Sequence, residues 1–205
     1  MANNFVNGFA SIVTAGENYQ SVGSVEDNHT GPQLVYRANK NLSSPSGNGV
    51  NSILIELDAA NTGTASISIT CFIVDDGSKQ SCTVTGTSDV ATVTKTNHKL
   101  QTGQYVFVSG SSDPYVNGFY KITRVDADTF TYQQNAAASN SSGNYAGTVV
   151  YSNAYSIVKD VTIPVSSTLK IVSGQKIVLN ADDKVYAYAS AAHCDVIAGV
   201  LQEVD

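Results

Sequence analysis

The chain has 205 residues, of which 42% are hydrophobic and only 14% charged, so it can form one large β domain or two small ones with ordinary hydrophobic cores. The net charge is −6, and the lysines and arginines are scattered rather than gathered in a stripe, which argues against a dedicated nucleic-acid surface. No apolar run is long enough to cross a bilayer, and the first residues lack the pattern of a secretory signal, so we expect a cytoplasmic product that does not act at a membrane.

Apolar residues recur with a period of two along most of the chain, which is typical of half-buried strands. The clearest example places four apolar side chains on one face of a predicted strand: Ile67, Ile69, Cys71 and Ile73. Turn residues such as those at 75–77 and 117–118 separate these runs. No segment has the apolar spacing of an amphipathic helix over three turns. The predicted fold class is all-β.

The strand pattern predicts an outer domain that is interrupted by an insert. Residues 34–78 and 151–205 are predicted to form an outer, jelly-roll-like β-sandwich, and residues 79–150 a small inserted β-barrel or sandwich. The end of the insert, 135–147, is rich in small and polar residues and is interpreted as a long hairpin loop or a weakly packed edge. Residues 1–33 carry few strand signals and are predicted to be an N-terminal arm or an irregular edge.

The chain offers no recognisable catalytic, metal or cofactor motif. Its three cysteines (Cys71, Cys82 and Cys194) have no metal-ligand spacing, and a bridge between the first two is left open. His193 stands beside Cys194, but neighbouring strand residues point to opposite faces, which disfavours a nucleophile pair. The acidic pairs fit solvated turns better than calcium loops. We therefore predict a protein that is not an enzyme and has no cofactor.

Tyrosine is abundant, with eleven residues and no tryptophan in the chain. Tyrosines and asparagines concentrate in and beside the insert, and such residues make good contact surfaces at low entropic cost. The predicted interaction surface therefore consists of Tyr115, Asn117, Tyr120, Tyr132 and Tyr145. Ordinary filling of strands by tyrosine is the alternative interpretation. If the insert binds something, the expected target is another protein or a glycan of a host surface.

Short segments of the insert resemble a small β module that recurs in phage tail and fibre proteins. The matching segments are Ala91-Thr92-Val93-Thr94, His98-Lys99-Leu100, Thr102-Gly103, Val106-Phe107-Val108-Ser109-Gly110, Asn117-Gly118, Tyr120 and Asp128-Thr129-Phe130-Thr131-Tyr132. The pattern has glycine where this chain has Lys99, so we expect a different turn there. His98 is expected to make structural hydrogen bonds in this turn rather than to act in catalysis.

A second set of segments resembles the end of a small β-sandwich family of tailed-phage virion proteins. It comprises Ile157-Val158-Lys159-Asp160, Ile163-Pro164, Ser167-Thr168-Leu169, Lys176-Ile177-Val178-Leu179, Asp182 to Ala187, Ala189-Ser190-Ala191 and Asp195-Val196, with Leu34-Val35-Tyr36 and Asn61-Thr62-Gly63 upstream. The family usually has Gly-Asp where this chain has Asp182-Asp183. We therefore expect Asp182 to take up a positive φ, which aspartate tolerates.

The two resemblances imply a structural protein of a tailed-bacteriophage virion, assembled in the host cytoplasm. A small, acidic, charge-poor protein of this kind best fits a capsid decoration (cement) protein that bridges neighbouring subunits, often as a symmetric oligomer. Its expected partners are copies of itself and other virion proteins. A neck, tail or fibre component whose insert contacts the host surface is the first alternative, and a polysaccharide-processing enzyme is a disfavoured second one.

Overall fold

The computed structural model describes residues 4–12, 32–38, 51–87, 90–111, 116–134 and 145–204. This part of the chain contains one 3-10 turn (Asp76–Ser78) and thirteen strands, which confirms the all-β prediction there. The strands are β1 (Asn4–Ile12), β2 (Gln33–Arg37), β3 (Asn51–Asn61), β4 (Ile67–Val74), β5 (Gln80–Thr87), β6 (Val90–Thr94), β7 (Tyr105–Ser109), β8 (Gly118–Arg124), β9 (Thr129–Gln133), β10 (Tyr145–Ile163), β11 (Thr168–Leu179), β12 (Lys184–Ala189) and β13 (Cys194–Val204).

The chain divides into two compact units. The outer unit comprises the described residues of 1–16, 33–77 and 155–205, and the inserted unit comprises those of 17–32 and 78–154. The inserted unit thus interrupts the outer one between β4 and the second half of β10. The sequence pattern placed these limits at 79 and 150.

Two four-stranded sheets make up the outer unit. One has the strand order β1-β13-β3-β11, and the other has the order β2-β12-β4-β10. The two sheets share one hydrophobic core, to which the first contributes residues such as Leu54, Leu57 and Val196 and the second residues such as Ile69 and Val185. Core-facing side chains alternate with outward-facing ones along these strands, except at an irregularity in β3 between Leu54 and Leu57.

The N-terminal prediction is wrong for the residues that the structure describes. Residues 4–12 are not an arm or an irregular edge but a regular edge strand, β1, paired antiparallel with β13 from Asn4 opposite Gln202 to Ile12 opposite Cys194. The strand signal is weak because Gly8 and the asparagines dilute the apolar period. The rest of the predicted arm, apart from Pro32 and Gln33, lies outside the described residues.

The inserted unit is a closed barrel of six strands. The sequence predicted either a small barrel or a small sandwich here, and the structure shows the barrel. The strands follow the order β10-β5-β6-β9-β8-β7, and β7 pairs again with β10 to close the ring. Inside lies a second core, which includes Val93, Val106, Ile122 and Phe130. Residues 145–147 of the predicted loop or edge belong to β10, whereas 135–144 lie outside the described residues.

The three cysteines are buried and free, so Cys71 and Cys82 are not bridged. Burial raises the pKa of both the Cys82 and the Cys194 thiol to about 11, and it raises the pKa of Cys71 as well. Because the thiolate is the nucleophilic form, these thiols are unreactive at neutral pH. They pack as small apolar side chains.

Candidate functional site

Three of the five residues predicted to form a contact surface are buried. Tyr120 and Tyr132 stack on each other in the barrel core, with 4.3 Å between their ring centroids. The Tyr120 hydroxyl donates to the Asn117 carbonyl over 3.1 Å, and the Tyr132 hydroxyl donates to the Val116 carbonyl over 2.8 Å. For these two side chains the prediction is wrong, because they face inward on their strands and hold the adjoining turn.

Asn117 is also buried. Its side-chain amide makes two hydrogen bonds to the backbone of Ser111, as a paired strand residue would do with its backbone. Its Oδ1 accepts a hydrogen bond from the Ser111 N–H, and its Nδ2 donates to the Ser111 carbonyl, both over 2.9 Å. A buried amide needs such partners, so Asn117 is a structural residue rather than part of a contact surface. Of the remaining two predicted residues, Tyr115 and the side chain of Tyr145 lie outside what the structure describes.

The expectation that His98 makes structural hydrogen bonds is confirmed. Its Nδ1 accepts a hydrogen bond from the Leu100 N–H over 3.0 Å, so Nε2 carries the proton and bonds to the Asp126 carbonyl, 3.1 Å away. The ring also packs edge-on against Phe130. The histidine thereby ties the turn after β6 to the turn between β8 and β9.

The backbone of this turn is held in a strained conformation. Asn97 has a φ of 50° and Lys99 a φ of 61°, which lie in the left-handed region that glycine favours. The Asn97 N–H donates to Asp128 Oδ1 over 2.7 Å. Asp126 accepts from the Asp128 N–H, and this bond lowers the pKa of the Asp126 carboxyl. The turn is therefore rigid and carries a lysine where glycine would be less strained.

We expect Lys99→Gly to stabilise the inserted unit by about 1 kcal/mol, because glycine adopts a positive φ without the steric cost that lysine has. Lys95→Gly is the matched control on the same turn: Lys95 is not among the positive-φ residues, so glycine there should reduce stability through its backbone entropy. Urea unfolding of both variants measures the two changes. If both variants changed the unfolding free energy in the same direction, the strain argument would be contradicted.

A polar cleft of about 480 Å³ opens beside this turn within the inserted unit. Three segments that are distant in the sequence line it: the residues before β5, the turn after β6 and the middle of β10. Its lining residues are Ser78, Gln80, Lys95, Thr96, Asn97, His98, Lys99, Tyr151 and Asn153. The lining contains two cationic side chains and no carboxylate.

The outer unit has a different feature, an apolar outer face on the β1-β13-β3-β11 sheet. Strand register aligns four apolar side chains in one row across all four strands: Phe5, Leu201, Ile53 and Val178. A second apolar pair, Phe9 beside Ile197, lies four residues farther along β1. We call these six residues the apolar face.

Four side chains of the apolar face are exposed, and the other two, Ile53 and Leu201, are half-buried. Phe5 is 73% exposed, Phe9 65% and Val178 59%. Isolated exposed apolar residues are common, whereas an aligned set across one sheet is a candidate interaction surface. At its margin Asp58, beside Ile197, has a buried carboxylate oxygen, Oδ1, with no hydrogen-bond partner among the described residues.

Sequence reasoning missed the apolar face because both faces of β1 and β13 are apolar. In β1, Val6 and Ala10 face the core while Phe5 and Phe9 face outward. In β13, Val196 and Val200 are buried, whereas Ile197 and Leu201 belong to the apolar face. One signal in the sequence could have revealed it. A strand of a sheet with one solvated face normally alternates apolar and polar residues, and these strands carry apolar residues on both faces.

The remaining candidates are structural where the structure describes them. Asp182 has a φ of 70°, as expected, and accepts a 2.6 Å hydrogen bond from Arg37 Nη2. The described residues contain no group of three or more His, Cys, Asp and Glu side chains that could hold a metal ion.

No helix in the described part of the chain is long and apolar enough to cross a membrane. No model of a protein family matches the chain, and no curated protein matches it.

Proposed function

We propose that this chain is a non-enzymatic structural protein of a tailed-phage virion, and that its outer unit binds copies of itself or other virion proteins through the apolar face. A capsid decoration protein that bridges neighbouring subunits is the form of this function that we favour. The observation that carries the proposal is the aligned apolar row of Phe5, Leu201, Ile53 and Val178, whose outer members Phe5 and Val178 are exposed.

The dimensions of the apolar face suit a protein interface. The sheet that carries the apolar face has four strands about 4.8 Å apart, and nine residues rising about 3.3 Å each give this whole sheet a footprint of about 570 Å². A standard interface buries about 800 Å² on each partner, so this sheet face supplies much of one. The charged residues of the paired segments 53–58 and 170–178 are Glu56, Asp58, Lys170 and Lys176, and Lys170 lies 3.9 Å from Glu56, so part of this charge is already paired.

We also propose that the outer unit is a jelly roll. If its eight strands are renumbered in chain order, the two sheets have the orders 1-8-3-6 and 2-7-4-5. This is the arrangement produced by two interlocked Greek keys, which is common in viral capsid domains. The inserted unit then occupies the connection between the fourth and fifth strands of the roll. The topology supports a virion part but is shared with other functions.

A neck, tail or fibre component is the second candidate, and the polar cleft favours it. The cleft gives the inserted unit a site at which it could bind a molecule that is not part of the particle. In this alternative the outer unit attaches to the particle through the apolar face, as in the first candidate, and the inserted unit contacts the host surface. The two candidates differ in how many copies each particle carries.

The proposal is tested by the copy number of the chain in purified phage particles and by a variant of the apolar face. A decoration protein is expected at a simple fraction of the number of major capsid subunits, and a tail part at a few to a few dozen copies per particle. Quantitative mass spectrometry distinguishes these results. Absence of the chain from the particle would contradict the virion proposal altogether.

We expect the double variant Phe5→Ser/Phe9→Ser to lose at least nine-tenths of its incorporation into particles, since it removes two exposed aromatic anchors of the kind that dominate interfaces. Val125→Ser is the control, because Val125 is 61% exposed but lies in the inserted unit. Circular dichroism should show that both variants fold. Full incorporation of the double variant would exclude the apolar face as the docking surface.

A further inference from the structure

The polar cleft of the inserted unit concentrates positive charge in an acidic protein. Lys95 and Lys99 both line it, although the chain as a whole carries a net charge of −6. Among the described residues, neither lysine forms an ion pair, and no carboxylate lines the cleft. The nearest carboxylates, Asp126 and Asp128, keep their negative charge and accept backbone N–H groups, but among the described residues neither lines the cleft or pairs with a lysine. The two ammonium groups are therefore available to an anion.

The buried wall of the cleft carries a hydroxyl that the protein does not use. Tyr151 is only 2% exposed and packs edge-on against Phe130, yet no described residue forms a hydrogen bond with its hydroxyl. Burial raises its pKa to about 12, so the hydroxyl is neutral and can donate. The hydroxyl is not among the buried side-chain atoms without a partner, so it is accessible from the cleft that Tyr151 lines. A ligand oxygen in the cleft would supply the missing partner.

The cationic turn is held ready for a ligand. The Lys95 N–H donates to the Asp128 carbonyl over 2.8 Å, and the His98 hydrogen bonds fix the middle of the turn. A site whose backbone is already ordered loses less entropy on binding. Lys99 also keeps its side chain at a backbone position where glycine would be less strained, which is a pattern found at binding sites.

We propose that this cleft binds an acidic saccharide, with its anionic group held by Lys95 and Lys99 and its hydroxyl groups by Tyr151 and the amides of Asn97 and Asn153. The amide and hydroxyl groups of the lining match the alternating donors and acceptors of a sugar. The volume of about 480 Å³ is within the usual range of small-molecule sites. The ring of Tyr151 is buried, so the cleft lacks the exposed aromatic platform on which single-stranded nucleic acids stack.

This binding activity goes beyond the proposed function, because it belongs to the inserted unit and does not depend on the apolar face. A protein that docks on a particle could use it to bind the saccharide of a host surface. The anionic group could be a carboxylate or a phosphate, since lysine binds either as a point charge. The probes below distinguish these sources.

The test is a titration of the full ¹⁵N-labelled chain, followed by NMR, with three probes at low salt: tetragalacturonate, inorganic phosphate and neutral maltotetraose. We expect tetragalacturonate to shift the amide signals of 95–99 and to bind at least about tenfold more tightly than maltotetraose, because only it can meet both lysines. Its affinity should fall as salt is added. Phosphate alone should bind more weakly, since it leaves Tyr151 and the amides unsatisfied.

Variants assign the binding to the cleft. Lys95→Gln/Lys99→Gln should weaken tetragalacturonate binding at least about tenfold, while Lys121→Gln, an exposed lysine on β8, should leave it unchanged. Tyr151→Phe removes only the hydroxyl and should weaken binding about fivefold, which corresponds to one hydrogen bond, without lowering the melting temperature.

Four results would overturn the proposal. The first is the absence of binding by tetragalacturonate, and the second is equal binding of maltotetraose, which would remove the role of charge. The third is unchanged binding in the double lysine variant. If inorganic phosphate binds as tightly as tetragalacturonate, the cleft is a simple anion site and the saccharide assignment is wrong. None of these results depends on whether the chain is found in phage particles.

Discussion

Replacing Gly8 with alanine is expected to destabilise the outer unit by about 3 kcal/mol or more, at the upper end of what overpacking costs. Gly8 lies in β1 and faces inward, where β1 meets β2 of the opposite sheet. A Cβ atom added there would clash with the Val35 carbonyl oxygen and would lie 3.1 Å from Tyr36 Cβ. The closer contact is with backbone, which cannot move without disturbing the pairing of β2 with β12.

The measurement is urea unfolding of Gly8→Ala beside Gly147→Ala. Gly147 also lies in a strand, β10, but a Cβ atom there would meet nothing within 4 Å. We expect Gly147→Ala to be neutral or slightly stabilising, because alanine restricts the unfolded chain. A Gly8→Ala variant as stable as its control would mean that β1 does not approach β2 so closely in solution.

Replacing Asn61 with aspartate is expected to destabilise the outer unit by about 4 kcal/mol at neutral pH, the cost of a buried charge without a partner. Asn61 is buried, and its Nδ2 donates to three carbonyls, those of Ala65, Ile163 and Pro164, over 2.8 to 3.1 Å. Its Oδ1 accepts from the Gly63 N–H. Aspartate keeps the oxygen that accepts from the Gly63 N–H. In place of the Nδ2 donor, however, it puts a negatively charged oxygen against three carbonyl oxygens.

The effect of Asn61→Asp should depend on pH in a definite direction. The three carbonyls and the burial raise the pKa of the new carboxyl in the folded state above its value in the unfolded state, so the penalty grows as pH rises. The difference in unfolding free energy from the parent protein should therefore be smaller at pH 4.5 than at pH 7.5. Asn7→Asp, at an exposed position of β1, is the control and should change stability little. A pH-independent difference for Asn61→Asp would contradict the electrostatic explanation.

Local chemistry explains which parts of the fold were predictable. The all-β class and the position of the insert follow from the apolar period and from turn residues, both of which act over short stretches of chain. The role of His98 was predictable because its partners, Leu100 and the Asp126 carbonyl, belong to its own and a neighbouring turn. The positive φ of Asp182 was an expectation from the resemblance, because the family it resembles has glycine at this position and aspartate is one of the few other residues that tolerate that conformation.

Long-range pairing explains what the sequence left undecided. Tyrosine is a residue type that is common at interfaces, yet Tyr120 and Tyr132 fill the barrel core. Phenylalanine is a residue type that is common in cores, yet Phe5 and Phe9 are exposed. A period of two assigns side chains to one of two faces, but it does not say which face is covered when both contain apolar residues.

The sequence by itself therefore determined most of the strands, though not β1, and the position of the insert, because these depend on residues that are close together in the chain. Only the tertiary structure decided where binding can occur. The apolar face needs β1, β13, β3 and β11 in register, and the polar cleft needs residues near 78, 95 and 151 brought together by closure of the barrel. Both depend on contacts between distant segments, for which alternation along a single strand carries no information.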